Sequence, residues 1–223
     1  MKDERGNDGN YRRFLKQLQE VTLKILIALG GMVFFLLTGC TGSPADPAEL
    51  LFEFSFEESL EGWHTRGIDL ELGQDTIQWS ITQSSDRATD RSTSLKFYLN
   101  NLNDADKIWV EKKFSVRPGT RYRVSISYDF ASRDNGTMNL FTVIPGVLPR
   151  PPRTREELAP TFQGSTGNGS DSDSEYIWTR KEYGVIVESG ETGELSVVIG
   201  VWGTWETPRT YYLDHLRITF DEH

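Results

Sequence analysis

Arg121-Tyr122-Arg123-Val124-Ser125-Ile126-Ser127-Tyr128-Asp129-Phe130 is the stretch from which the fold is read. Its apolar and aromatic residues, Tyr122, Val124, Ile126, Tyr128 and Phe130, occupy every second position, with Arg, Ser and Asp between them. A period of two puts successive side chains on opposite sides of a β-strand, whereas a helical face would repeat at about 3.6. One side of this strand should meet a core and the other should not. Just upstream, Ile108, Val110, Phe114 and Val116 alternate with Trp109, Glu111, Lys113 and Ser115, and Arg117-Pro118-Gly119 lies between the two runs. Pro presets φ and Gly tolerates positive φ, so the tripeptide predicts a tight turn and an antiparallel hairpin.

Working outward, strands are predicted at 51–57, 76–83, 93–100, 107–116, 120–130, 137–144, 183–188, 194–202 and 209–220, separated by Gly, Asp, Asn and Ser clusters. In the 194–202 strand, Leu195, Val197, Ile199 and Val201 face away from Trp202. Helix signals are almost absent; Arg155 to Ala159 would make one turn at most. No internal repeat is visible. The expected fold class is all-β, a two-sheet antiparallel β-sandwich over residues 50–223. The long connection from Ile144 to Glu175, rich in Pro, Gly and Ser, is expected to be surface.

The N-terminal part is different in kind. Ile25 to Leu37 is a short apolar run closed by Lys24 and preceded by Arg12, Arg13 and Lys16, shorter than the roughly 20 apolar residues of a spanning helix and closer to a signal h-region. It ends in Leu37-Thr38-Gly39-Cys40, which contains the only cysteine and resembles the lipobox of bacterial lipoproteins. That resemblance implies a signal segment at 1–39, a lipid on Cys40, a tether at 40–49 and an extracytoplasmic place in a bacterial cell envelope. An uncleaved membrane anchor that recruits Val21 to Leu23 is the alternative. Met1 to Gly39 carries six basic and four acidic residues, so its loss makes an already acidic chain, of formal charge −9, more acidic still. Such a surface repels phosphate backbones, and no nucleic acid is expected as a partner.

Four further pieces carry a family resemblance. Phe54-Ser55-Phe56-Glu57-Glu58-Ser59-Leu60-Glu61-Gly62-Trp63, Ser92-Thr93-Ser94-Leu95, Phe114 to Ser125 and Tyr211-Tyr212-Leu213-Asp214-His215-Leu216 follow one another as in carbohydrate-binding modules with the galactose-binding-like jelly roll. The resemblance implies a jelly roll with neighbouring termini and a polysaccharide or glycan partner. It also implies a structural calcium held by Glu57 and Asp214. Asp214 shares parity with Leu216, Ile218 and Phe220 and should point inward, where either a cation or several N–H donors must offset its desolvation.

Sugar recognition needs aromatic faces and polar side groups. Trp79 is in phase with Ile77 and Ile81, and the resemblance implies a buried place for Trp63. Trp109, Trp202, Trp205 and Trp178 are the ligand candidates, and Arg123, Asp129 and Asn139 have matching outward parity, which predicts one polar, aromatic-lined sheet surface. The other reading of these tryptophans is burial beneath the 145–182 connection. Catalytic motifs are missing: there is no Gly-x-Ser-x-Gly, no His-Glu-x-x-His, no phosphate-cradling glycine loop, and His64, His215 and His223 lack metal-ligand spacing. Asp171-Ser172-Asp173-Ser174-Glu175 has Tyr176 where an EF-hand loop needs glycine. The expected function is therefore a non-catalytic, lipid-anchored carbohydrate-binding-like module. A structural or protein-interaction lipoprotein without a sugar ligand is the runner-up, and a glycan-active enzyme with two paired carboxylates the third.

Overall fold

The computed structural model describes residues 49–133, 140–154, 165–166 and 176–223, all within a compact unit that runs from Pro47 to His223. Cys40, Asn139, the 155–159 turn and the 171–175 acidic run lie outside the described residues. Among the described residues thirteen strands follow in order: β1 Leu50–Phe54, β2 His64–Ile68, β3 Glu71–Leu72, β4 Asp75–Thr76, β5 Trp79–Ser84, β6 Ser94–Asn100, β7 Lys107–Ser115, β8 Arg121–Arg133, β9 Phe141–Leu148, β10 Ser165–Thr166, β11 Tyr176–Glu188, β12 Glu194–Gly203 and β13 Pro208–Glu222. No helix occurs among the described residues.

The strands make two antiparallel sheets and a small β3–β4 hairpin. Sheet I has the order β11-β8-β13-β6-β5, with β1 beside the second half of β13; sheet II has the order β10-β9-β12-β7-β2. Leu50 pairs with Phe220, so the first and last strands of the domain are neighbours. The inner faces meet in one core that includes Tyr122, Val124, Ile126, Tyr128 and Phe130 from β8 and Leu195, Val197, Ile199 and Val201 from β12, as their alternation requires. Trp63 is buried there, edge-on to Phe54 with ring centroids 5.4 Å apart, and Trp79 packs against the same core.

Three expectations need correction. The predicted hairpin does not exist: β7 pairs with β2 and β12 in sheet II, and β8 pairs with β11 and β13 in sheet I. Arg117-Pro118-Gly119 instead carries the chain between sheets, since a Pro-Gly turn suits a corner as well as a hairpin. A second corner, 189–193 between β11 and β12, locks onto it. The Val116 amide donates to the Gly193 carbonyl at 2.8 Å, and the buried Ser189 hydroxyl donates to the Arg117 carbonyl at 2.6 Å.

The second correction concerns Asp214. Between Asp214 and Arg217, β13 advances three residues while β8 advances two, from Asp129 to Ser127, and His215 takes φ 50°. This one-residue bulge resets the alternation, so Leu213 and Leu216 both enter the core and Asp214 lies on the outer side opposite Asp129. Third, strand limits move. β11 begins at Tyr176 rather than 183 because Arg180, Lys181 and Glu182 hide its apolar signal. β9 continues to Leu148 through Pro145, which faces Ile199 of β12 and, among the described residues, lies beyond the two that pair with β10. β2 was absent from the predicted strands.

Candidate functional site

The outer face of sheet I is polar and aromatic. At its centre Ala131 of β8 pairs with Trp178 on one side and Tyr212 on the other. Alanine leaves the space above the strand open, and the indole and phenol come within 6.4 Å, centroid to centroid, across it. Tyr176 adds an edge-to-face contact to Tyr212 at 5.3 Å and 77°. Polar groups frame the three rings. Lys96, the cross-strand partner of Tyr212, bonds Asp86 at 2.6 Å, which holds the Asp86 carboxyl below its usual range, and the Arg87 guanidinium sits 4.5 Å from the Tyr176 ring centre.

One step along the strands, Arg180 of β11 donates to Asp129 at 3.1 Å, to the His215 carbonyl at 3.2 Å and to Ser127 at 2.9 Å. Asp129 also accepts from the Thr89 hydroxyl at 2.9 Å. Beyond this knot lies a groove of about 580 Å³ with Ser125, Ser127, Glu182, Gly184, Arg217 and Thr219 along it. At the opposite end a cavity of about 250 Å³ is lined by Tyr98, Arg133, Tyr176, Thr207, Pro208, Arg209 and Thr210. Tyr176 to Gly184 spans roughly 26 Å at about 3.3 Å per residue. The face therefore offers an elongated surface with rings in its middle and hydrogen-bonding groups along both arms.

Sheet II uses its outer face differently. Trp109 pairs with Gly200, where an added Cβ would lie 2.5 Å from the Trp109 Cβ, so only glycine admits the tryptophan. The indole packs with Val198, Ile68 and Leu148 and is 4% exposed. Its Nε1 donates to Glu111 at 3.1 Å, and Glu111 accepts from Arg66 at 3.0 Å. Trp202 is 38% exposed, donates to the Asp104 carbonyl at 3.0 Å and carries the Lys107 ammonium 4.4 Å from its ring centre. Trp205, 52% exposed, lies in the loop from β12 to β13 and its carbonyl accepts from Asn101 at 2.6 Å.

The residues expected to share one surface are thus divided. Trp178, Arg123 and Asp129 lie on the outer face of sheet I, whereas Trp109 and Trp202 lie on that of sheet II and Trp205 just past its β12. Parity reports the side of a strand away from its core but not the sheet to which the strand belongs. Tyr176, Tyr212, Lys96 and Arg180, which complete the sheet I surface, are not among the ligand candidates that the sequence offers. Tyr212 was detectable as the aromatic out of phase with Tyr211 and Leu213, but Tyr176 was not, because its strand was placed too late.

Glu57 and Asp214 both hold the loop from β5 to β6. Glu57 accepts from the Ser92 amide at 3.0 Å, the Thr93 amide at 2.9 Å and the Ser92 hydroxyl at 2.6 Å, which lower its pKa to about 2. Asp214 accepts from the Thr89, Asp90 and His215 amides at 2.7, 2.9 and 2.7 Å, while burial pushes its pKa up. The nearby Phe56 and Arg87 carbonyls are taken by Thr93 and Ser94 hydroxyls at 2.6 and 2.7 Å. N–H and O–H groups aimed at these oxygens have the wrong polarity for a cation, so this arrangement does not fit calcium. Elsewhere, Asp106 in the loop before β7 is fully buried with Oδ1 unpartnered, and burial lifts its pKa to about 6.

No family model matches the chain, and no curated protein matches it. Solved structures do. The K3 cleaved adhesin domain of Lys-gingipain from Porphyromonas gingivalis aligns with a TM-score of 0.50 and 11% identity over 77% of this chain and 99% of that one. The CBM22-1 xylan-binding domain of Paenibacillus barcinonensis Xyn10C aligns at 0.44 and 16% over 80% and 97%. TmCBM61, solved with beta-1,4-galactotriose, aligns at 0.37 and 11% over 74% and 89%. The likeness to the adhesin domain is one of fold, an all-β sandwich.

Proposed function

We propose that the protein is a non-catalytic carbohydrate-binding module, held on the extracytoplasmic side of a bacterial envelope by a lipid on Cys40, and that a polysaccharide lies along the outer face of sheet I. The observation that carries this reading is the Trp178, Tyr212 and Tyr176 cluster, set across Ala131 and continued at both ends by polar grooves. Sugar rings present C–H faces that pack on aromatic surfaces and hydroxyls that need donors and acceptors, and this face supplies both in a row. The rings are already held by one another, so little side-chain freedom is lost on binding. Asp129 and Asp214, the carboxylates that meet on this surface, are held by Arg180, Thr89 and backbone amides, which supports binding over acid and nucleophile roles. The runner-up, a structural or protein-interaction lipoprotein, draws support from Trp109 being covered. Screening the full chain in detergent on a glycan array tests the choice. Retention of a glycan that Trp178→Ala abolishes supports the module, and no retention across a broad array returns the runner-up.

The anchor has its own test. Leu37-Thr38-Gly39-Cys40 after the apolar run motivates it. Mass spectrometry of the membrane fraction should find an acylated N-terminal Cys40, and Cys40→Ser should release the domain. An intact Met1 terminus with an unmodified thiol would sink the lipid anchor.

A further inference from the structure

The arms of the sheet I surface differ in charge, and the difference bears on the ligand. The chain as a whole is acidic, with 33 Asp and Glu against 24 Lys and Arg. Yet the described lining of the cavity beside Tyr176 contains Arg133 and Arg209 and, among the described residues, no carboxylate. Arg209 is half-buried. It donates to the Arg133 carbonyl at 2.8 Å and lies 5.5 Å from the Phe141 ring centre, and no described carboxylate pairs with it. Burial pulls its pKa down, against the opposing effect of the neighbouring Tyr211 and Tyr176, and no carboxylate among the described residues offsets the cost of holding the charged form there. A third guanidinium, Arg87, stacks on Tyr176 at the rim and likewise has no described carboxylate partner. The groove at the far end is unlike this, since Glu182 accompanies Arg180 and Arg217.

We propose that the cavity lined by Arg209, Arg133, Tyr98 and Tyr176 receives the carboxylate of a uronic acid residue, so that the module prefers acidic polysaccharides. The inference rests on the glycan-binding reading above and names its ligand class. Guanidinium groups bind carboxylates through paired, charge-assisted hydrogen bonds, and Tyr98, Thr207 and Thr210 supply hydroxyls for the rest of the sugar. Trp178 and Tyr212 would then take the next residue of the chain along the sheet. The ligand carboxylate supplies the counter-charge that Arg209 lacks.

The test titrates the full chain in detergent with polygalacturonate, its carboxyl-reduced counterpart, xylan and dextran sulfate. Polygalacturonate should bind about tenfold or more tightly than the reduced polymer, the equivalent of about 1.4 kcal/mol. Arg209→Gln should bring that ratio close to one. Arg87→Gln, on an exposed side chain that the fold does not need, should lower the ratio by a smaller factor and guards against a folding defect at Arg209. A ratio near one in the unmutated protein, or a ratio that Arg209→Gln leaves unchanged, overturns the inference. Equal binding of dextran sulfate also overturns it, by reducing the effect to general polyanion attraction. Binding of xylan and the reduced polymer without acid preference would leave the module reading standing and this inference refuted. Retention of no glycan would refute both.

Discussion

The two sheets of this sandwich each turn a tryptophan-bearing face away from the shared core, and they use it in opposite ways. On sheet II, Trp109 sits over Gly200 and is covered by Ile68 and Leu148, so its area contributes to stability. On sheet I, Trp178 stands beside Tyr212 across Ala131, half-buried, with Lys96, Arg87 and Arg180 around it. The local pattern is the same, an aromatic out of phase with its strand's apolar residues. Cover makes the difference: one ring lies beneath side chains brought from distant parts of the chain, the other remains partly open.

Mutations can break or sharpen this contrast. Trp63→Ala, in the common interior, should cost about 3 to 5 kcal/mol and serves as the reference for core loss. Trp109→Ala should also destabilise, by about 3 kcal/mol at the lower end of that range because its cluster is small, and should leave glycan affinity unaltered. Trp178→Ala should do the reverse. Truncating an aromatic at the centre of a binding surface costs about 2 kcal/mol of affinity, or roughly thirtyfold, with the melting temperature nearly unchanged. Denaturant melts beside affinity titrations check all three, and a Trp178→Ala protein that unfolds while Trp109→Ala loses binding would invert the assignment of the two faces.

Smaller effects should appear in the pH dependence, with opposite signs at two carboxylates. Asp106, lifted from 3.8 to about 6 by burial, binds its proton more tightly folded than unfolded. Its contribution is therefore complete below pH 3.8 and lost as pH rises through 6. Asp106→Asn should melt higher than the parent at pH 7 and level with it near pH 3.5. Glu57, lowered from 4.5 to about 2 by its hydroxyl and amide donors, contributes above pH 4.5 and loses that contribution as pH falls toward 2. Glu57→Gln should melt below the parent at pH 7 and converge with it in acid. Thermal melts at a series of pH values decide both, and parallel curves for parent and variant would refute the corresponding assignment.

The smallest expected effect is that of calcium. With Glu57 and Asp214 already occupied by donors, melting temperatures in calcium and in chelator should coincide. A site saturated at about 100 times its dissociation constant would instead stabilise by roughly 2.7 kcal/mol, so a clear rise with calcium would mean that the loop between β5 and β6 rearranges around a cation.

The sequence by itself determined the all-β class, the inward residues of β7, β8 and β12, and the outward parity of Trp109, Trp202 and Asp129. These are local matters: backbone geometry alternates side chains with period two, and a row of Tyr, Val and Ile on one parity has one low-energy side. Tertiary structure alone decided which strands share a sheet, and so why Arg117-Pro118-Gly119 is a corner rather than a hairpin. It also decided that Trp109 is covered, and that one extra residue at His215 turns Asp214 outward. Each of these depends on hydrogen bonding or packing between residues far apart in the chain, where a turn tripeptide or an alternating run has several equally good partners and only the assembled core selects among them.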